Sequence, residues 1–558
     1  MKEILEKFNK LFLDKKYSEL ILLIEKSIKL KPPRILNILA VTRLLNSRDK
    51  NSFILAINEF EEAYLKEPDT QVGFEGLKNY INAVVDFYEF HDVNDKSIDF
   101  KILFNNALKY FVKAEKFFGY ESKLFIAMVR IYKRLNQLDK ILYCYKKLSD
   151  NNDLDSDTLS SWIFYNSYGY GWQQKDYLFY SKLLNNYLTK YSSDELCQFT
   201  SQNNTKVKVG FLSSHFHKYH SVAYFLRTIL ENYDASKFEI YLYLNHKIED
   251  QGTEHFKNLV KKFINVSSLN DLEAINLIRK DNLNIIFDLE GITSTNRISL
   301  FKNRIAMKQI SWLGYLNTLG IDEMDYIMVD PNLIFQGEQN LYSEKVIYLP
   351  KIWSCHPGFQ FKRIENPPPY QQNKFITFGS FNNFSKINDK VLDVWCEILK
   401  NLDNSKLILK SSSKGEKDRL EKIFIKNSVN DFVVFVDATK KFKDHLDLYK
   451  KIDIALDTFP YNGVTTSFEA IWMGVPVLTM KGFNFTSRCG ESINKNIGLE
   501  QLIAKNEKDY ILKATNLAND KIDLLKLRKK VFEEALKSPL FNVRQFSKDF
   551  FNSLESLT

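Results

Sequence analysis

Apolar residues recur three and four positions apart through the first 190 residues, so this part of the chain reads as helix after helix. Tyr17, Leu20, Leu23, Ile24 and Ile28 form one such face, which stops before Pro32 and Pro33. Ala56, Phe60 and Ala63, followed by Pro68, set a pattern of small, aromatic and small residues and then proline. Ala107, Phe111 and Ala114 repeat it, and Ile141, Tyr145 and Leu148 repeat it once more. A period of about 34 to 40 residues with this logic predicts a tetratricopeptide-like α-solenoid, whose units bury their apolar faces only by stacking. The expected helical domain covers residues 1–200. Its surface is either a docking place for a protein or peptide acceptor or a scaffold. The aromatic run Trp162, Phe164, Tyr165, Tyr168, Tyr170 and Trp172 is expected to be core that packs the helices onto the next domain.

Near Lys206 the period changes. Strands are predicted at 207–212, 239–244, 263–266 and 284–291 and in QISWLG, YIMVD and KVIYLP, with helices at 222–232, 253–263 and 270–280 between them. Such alternation predicts a mostly parallel, doubly wound sheet over residues 205–360. The proline-rich segment 361–373 reads as a linker. A second such domain is expected over 374–558, with strands at 375–381, SKLILK and VVFVD, helices at 389–402, 416–427 and 443–451, and a last helix crossing back onto the first half.

The most informative stretch is DIALDTFPYNGVTTSFEAIWMGVPVLTM, from Asp453 to Met480. It reads as strand, tight loop, helix, turn and strand. A loop that enters a helix presents free backbone N–H groups and the positive end of the helix dipole, a ready site for a diphosphate. Thr465 and Thr466 stand at that helix start, and Glu469 one turn on can accept from a ribose hydroxyl. On this stretch alone an ordinary N-cap in an ordinary α/β domain is the stronger reading.

Composition narrows the classes. The 44% hydrophobic and 26% charged content is that of a folded globular chain. The net charge of +9 is spread over lysine-rich surfaces, and the one compact basic run, Lys440, Lys441 and Lys443, is too short for a nucleic-acid stripe. Attraction of an anionic substrate is the economical use of that charge. Five scattered cysteines without CxxC spacing imply neither a disulfide framework nor a zinc site. The charged N-terminus lacks a leader-like apolar core, and no run approaches the ~20 apolar residues of a membrane span. A cytoplasmic protein is expected.

His215, His217 and His220 crowd the loop SSHFHKYHS, but no carboxylate or cysteine accompanies them at ligand spacing, so a metal is not expected. Asp288 ends the strand of LNIIFDLEG, where ligands of such sheets gather, and is a candidate base or orienter. Asp155 and Asp157 form a D-x-D, but it lies in the helical region.

PYNGVTTSFEAIWMGVPVLTM resembles the nucleotide-sugar loop of the O-GlcNAc transferase/SPINDLY-like glycosyltransferases. The resemblance runs over roughly residues 205 to 555, through Ser487, Arg488, GLEQLIAKNEKDY and SPLFNVRQF. It implies an α/β GT-B fold, two Rossmann-like domains facing a cleft, preceded by an all-α tetratricopeptide-like solenoid. His220 before Ser221-Val222-Ala223-Tyr224 matches the family histidine beside the sugar donor, with His215 in place of the common Asp. Lys386, in FNNFSKI, matches the lysine that contacts the donor diphosphate, and Asn383 is implied as a weaker nucleotide or phosphate contact. His445 matches a histidine beside base and ribose, and Gly463, Val464, Thr465, Thr466 and Glu469 occupy the nucleotide-sugar positions. Gly314, Tyr315 and Thr318 belong to the family's W-L-G-Y-P-G-T stretch on the acceptor side. Two departures stand out: Gly291-Ile292 replaces the family's Gly-His, and Leu316-Asn317 replaces its Pro-Gly.

The implied function is an inverting, metal-independent transfer of GlcNAc from UDP-GlcNAc to Ser or Thr of a protein, with no cofactor besides the donor. GDP-fucose O-fucosyl transfer and UDP-glucose transfer to Asn are alternatives. From another class, so is a solenoid binding module whose transferase half is inactive. No nucleic-acid partner is expected.

Overall fold

The computed structural model describes residues 2–90, 99–191, 199, 206–218, 220–359, 361, 363, 365–411, 414–439 and 441–557. Cys197, Lys440 and the predicted break between residues 200 and 205 lie outside the described residues. The chain divides into two compact units, one ending at Leu154 and one beginning at Asp155.

The first unit is all helix. Lys2–Leu13, Tyr17–Ser27, Pro33–Asn46, Lys50–Lys66, Gln71–Phe90, Phe100–Phe118, Ser122–Arg134 and Leu138–Asp150 succeed one another. The small and aromatic positions that repeat along the sequence are the packed ones: Ala56, Phe60, Ala63, Ala107, Phe111 and Ala114 are all at most 2% exposed. Small residues let helix backbones approach, and the aromatic between them fills the gap. This gives the tetratricopeptide-like architecture.

The second unit opens with two more helices, Ser156–Asn166 and Gln174–Leu188. Asp155 accepts the Thr158 N–H and caps the first, so the D-x-D aspartates serve a helix start. Next comes a seven-stranded parallel sheet: β1 (Val207–Ser213), β2 (Phe238–Leu244), β3 (Lys262–Asn265), β4 (Ile285–Asp288), β5 (Lys308–Ser311), β6 (Tyr326–Val329) and β7 (Lys345–Tyr348), in the order β3-β2-β1-β4-β5-β6-β7. The second sheet holds β8 (Ile376–Ser380), β9 (Ser405–Ser411), β10 (Val433–Asp437), β11 (Ile454–Leu456), β12 (Val477–Met480) and β13 (Ile503–Ala504), in the order β10-β9-β8-β11-β12-β13. Central strands such as β4 and β8 are buried along their whole length, the run of apolar residues that a sheet covered on both faces demands.

Register sets the site. Leu212 pairs with Asp288 and Asp288 with Ser311, so β1, β4 and β5 end at one level. In the other sheet Gly379 pairs with Ala455 and Leu456 with Leu478, which aligns the ends of β8, β11 and β12. The loops leaving these carboxyl ends face a common crevice.

One apolar core runs through both sheets. Phe225 meets Phe468 at 5.2 Å, and Arg488 reaches across to Glu338 at 2.5 Å. The last helix, Val543–Glu555, lies on Ser221–Leu230 of the first half, where Ser547 Oγ donates to Ile229 O and Asn232 O. Its Phe550 is fully buried 4.7 Å from Trp312. Truncating such a ring costs about 3–5 kcal/mol.

The two opening helices bridge both halves. Gln174 Nε2 donates to Asn317 Oδ1 at 2.7 Å and Ser181 Oγ to Thr318 O at 3.2 Å, both on the first half. Asn388, at the start of Asp389–Lys400 in the second half, donates to Tyr168 O at 2.9 Å. Among the described residues no helix is long and apolar enough to cross a membrane.

Candidate functional site

The helix Thr465–Trp472 begins where β11 has ended and the chain has turned through PYNG. Helices starting at Asp389, Phe485, Glu507, Lys521 and Val543 are each capped by an Asn or Asp side chain. Thr465–Trp472 is not: Val464 at its N-cap offers no side-chain acceptor. Ser467 N and Phe468 N donate to Val464 O, whereas Thr465 N and Thr466 N, at the positive end of the dipole, have no partner among the described residues. The loop before it is held tightly. Asp457 Oδ1 accepts from Gly463 N at 2.6 Å, and a Cβ at Gly463 would stand 2.5 Å from Thr466 Oγ1 and 2.8 Å from Asn382 Oδ1, so only glycine fits.

Two hydrogen bonds join this loop to the one after β8. Thr466 Oγ1 donates to Asn382 Oδ1 at 2.9 Å, and Lys386 Nζ donates to Asn462 O at 2.8 Å. Burial pushes the Lys386 ammonium down to about 8, against a smaller opposing pull from the Asp457 carboxylate. Its charge is thus held where it is poorly solvated, and an incoming anion would relieve that cost.

From the first half comes a histidine pair. His220 caps Ser221–Leu230, its Nδ1 accepting the Val222 N–H at 3.3 Å. His215 stacks on it with centroids 3.6 Å apart. Burial lowers His215 to about 3 and His220 to about 4, so both rings are neutral at pH 7. With Nδ1 of His220 already an acceptor, the neutral ring carries its proton on Nε2 and presents a donor. Behind the pair lies the buried Glu290, which accepts from Ser213, Ser214 and Thr295 and sits 3.8 Å from His215 Nε2.

These groups line one cavity of about 560 Å³. His220, Lys386, Asn383, Val464, Thr465, Thr466 and Gly314 all border it. Gly314 is there because any side chain would strike Leu289 O, 1.8 Å from its Cβ position. Gly463 stands behind the helix start. Five further predicted residues are elsewhere. Asp288 is buried, with Oδ1 and Oδ2 accepting Glu290 N and Gly291 N at 3.1 and 2.8 Å, and burial raises it to about 7. It fastens the turn after β4 and does not reach the cavity. Thr318 donates to Glu344 Oε2 at 2.8 Å and meets Ser343, pointing into the core. Tyr315 is buried beside the same wall. His445 and Glu469 form a buried pair at 2.9 Å, and Tyr449 donates to the same Glu469 oxygen. Oε2 of Glu469, the residue expected to accept from a ribose, thus has two partners within the protein.

Sequence reasoning passed over Phe164 and Tyr461, which also border the cavity. Phe164 lies in an aromatic run whose pattern predicts core, and Tyr461 in a PYNG segment whose signal is that of a turn. Arg363 was overlooked too. Its guanidinium donates to Trp472 O, Phe532 O and Ile471 O and so caps the carboxyl end of Thr465–Trp472 from the linker. Among the described residues no group of three or more His, Cys, Asp or Glu side chains is placed to hold a metal ion.

The profile of Glycosyl transferase family 41 matches residues 185–358 and 369–550. The chain belongs to that family. Among its family 41 relatives is a Solanum lycopersicum protein described as "Probable UDP-N-acetylglucosamine--peptide N-acetylglucosaminyltransferase SPINDLY", 32% identical over 376 residues, covering 64% of this chain and 40% of that one. An Arabidopsis thaliana protein of the same description is 32% identical over 366 residues, covering 63% and 40%. The chain thus spans about two fifths of the length of these curated relatives. A mutant Thermobaculum terrenum O-GlcNAc transferase shares the fold with a TM-score of 0.76 over 95% of this chain and 98% of the other, at 22% identity. Where this family 41 chain departs from the pattern, the new residues are packed. Ile292 is 3% exposed, Asn317 is paired with Gln174, and Leu316 borders the cavity while its carbonyl accepts from Thr486.

Proposed function

We propose that the chain is an inverting glycosyltransferase that moves N-acetylglucosamine from UDP-N-acetylglucosamine to a serine or threonine hydroxyl of a protein. The observation that carries this reading is the single cavity shared by the Lys386 ammonium, the uncapped helix start at Val464–Thr466 and His220. The descriptions of the relatives support the choice of donor and acceptor class.

The acceptor oxygen attacks the anomeric carbon from the face opposite the diphosphate. Its bond to carbon forms as the bond to the phosphate oxygen breaks, and that electron pair leaves with UDP. The charge that builds on the leaving oxygen falls between Lys386 and the helix start, groups already in place before reaction. His220 donates from Nε2 to an oxygen of acceptor or sugar. The acceptor proton passes to a donor phosphate oxygen or to water, since Asp288 lies away from the cavity. A fixed ammonium and a helix start supply the positive charge that a divalent cation would otherwise bring, which supports metal-independent transfer. The helical first unit serves as the protein-docking surface, and the buried free thiols of Cys144, Cys355, Cys396 and Cys489 suit a reducing, cytoplasmic setting.

Calorimetry with a panel of UDP- and GDP-sugars tests the reading. UDP-N-acetylglucosamine is expected to bind, and binding is expected to vanish in Lys386→Ala. A wild-type protein that binds no donor would overturn it.

A further inference from the structure

Among the described residues no carboxylate lies within ion-pair distance of Lys386 Nζ, although burial makes a counter-charge valuable there. Its neighbours are a carbonyl, Asn462 O, and the face of Tyr461, whose ring centroid is 4.2 Å from Nζ. A ring face stabilises a cation without neutralising it. A carboxylate in the same place would compete with an incoming diphosphate, and an aromatic face does not.

The ring is itself held from two sides. Tyr461 O accepts from Thr458 Oγ1 at 2.7 Å, which fixes the backbone of the turn. Tyr168 packs on the ring with centroids 5.1 Å apart. Tyr168 is 8% exposed and belongs to the connection between Ser156–Asn166 and Gln174–Leu188. Its carbonyl accepts from Asn388 Nδ2, which also donates to Phe459 O at 2.8 Å, two residues before Tyr461. The ring, its support and the loop that bears Lys386 are thus joined through one buried amide.

We infer that Tyr461, buttressed by Tyr168, is the positioning residue of Lys386, its ring face aiming the ammonium at the point where leaving-group charge develops. This rests on the transferase reading for its purpose but not for its geometry, and the test separates the two.

Reductive methylation with [13C]formaldehyde gives each lysine a dimethylamino resonance, and the one missing from Lys386→Met is assigned to Lys386. In the donor-free protein that resonance is expected upfield, shifted by the Tyr461 ring current. Tyr461→Phe keeps it there, and Tyr461→Leu returns it to the position of solvent-exposed lysines. A resonance indifferent to Tyr461→Leu overturns the inference. If Tyr461→Leu does not fold, Tyr168→Leu, which leaves the ring but removes its support, is read in the same way and is expected to move the resonance part of the way. The second arm is UDP-N-acetylglucosamine hydrolysis against pH. Tyr461→Leu is expected to lower kcat/KM about tenfold and to move the basic limb to lower pH, because the neutral amine gains when the ring face is lost. Tyr461→Phe keeps the limb in place. Equal losses in both variants with an unmoved limb overturn the inference. If the wild type hydrolyses no UDP-sugar, the transferase reading fails, and the resonance arm still decides the role of the ring.

Discussion

Lys386→Met is expected to remove activity and to stabilise the donor-free protein at neutral pH. Burial lowers the ammonium from 10.5 to about 8, which corresponds to at most about 3 kcal/mol of cost to the folded state. Methionine has similar reach and no charge, but it gives up the hydrogen bond to Asn462 O, worth about 1 kcal/mol. The net gain is about 1–2 kcal/mol, or a few degrees of melting temperature. Its pH dependence has a definite sign. Below about 8 the lysine is charged in both folded and unfolded states, and the cost is fully present. Between about 8 and 10.5 the folded protein sheds the proton while the unfolded chain keeps it, so the wild type gains stability as pH rises. Thermal unfolding of the two proteins without ligand, from about pH 6.5 to 9.5, should therefore show the variant melting higher at the acid end and the gap closing towards the alkaline end. Saturating UDP should raise the melting temperature of the wild type and scarcely that of the variant. Turnover should fall about 10²–10³-fold, as for loss of one fixed donor to a developing anion. A variant that melts lower than wild type at pH 7, or by a margin that ignores pH, would refute the account of Lys386 as a charge held under strain for its ligand.

Arg363→Met should strand two carbonyls, Trp472 O and Phe532 O, while Ile471 O keeps the Gly474 N–H, costing about 2–4 kcal/mol in thermal unfolding and weakening UDP binding several-fold by calorimetry. His215 and His220 should contribute no acid limb to the wild-type rate from about pH 7 down to 5, since they stay neutral until about 3 and 4. His215→Asp should set a carboxylate beside His220, raise it, and bring an acid limb into that window. Dialysis against EDTA should leave the transfer rate within about twofold, because the ammonium and helix start already meet the leaving charge.

Much of the fold could be read from the chain because it rests on local pattern. β1, β2 and β8 fall within a residue or two of the apolar runs that announce them, and the small and aromatic repeat of the first unit picks out its packed positions. The helix start at Thr465 and Thr466 could be read from its loop, Lys386 was implied only by the family resemblance, and the structure brings all three to the border of one cavity. What stayed hidden depends on depth and on partners far along the chain. Asp288 stands at a strand end, as a catalytic carboxylate would, but only the register of β1, β4 and β5 shows that it turns inward to two N–H groups. Thr318 keeps the family residue yet spends its hydroxyl on Glu344, 26 positions away. Phe164 and Tyr168 look like any aromatic pair at a domain boundary until Tyr461, nearly 300 residues on, is brought against them.

The opening pair of helices in the second unit is pinned to one half through Gln174 and Asn317 and to the other through Tyr168 and Asn388. It works as a strap across two lobes. A wide swing of one lobe from the other would tear buried amides from their partners, so the strap holds the crevice against opening.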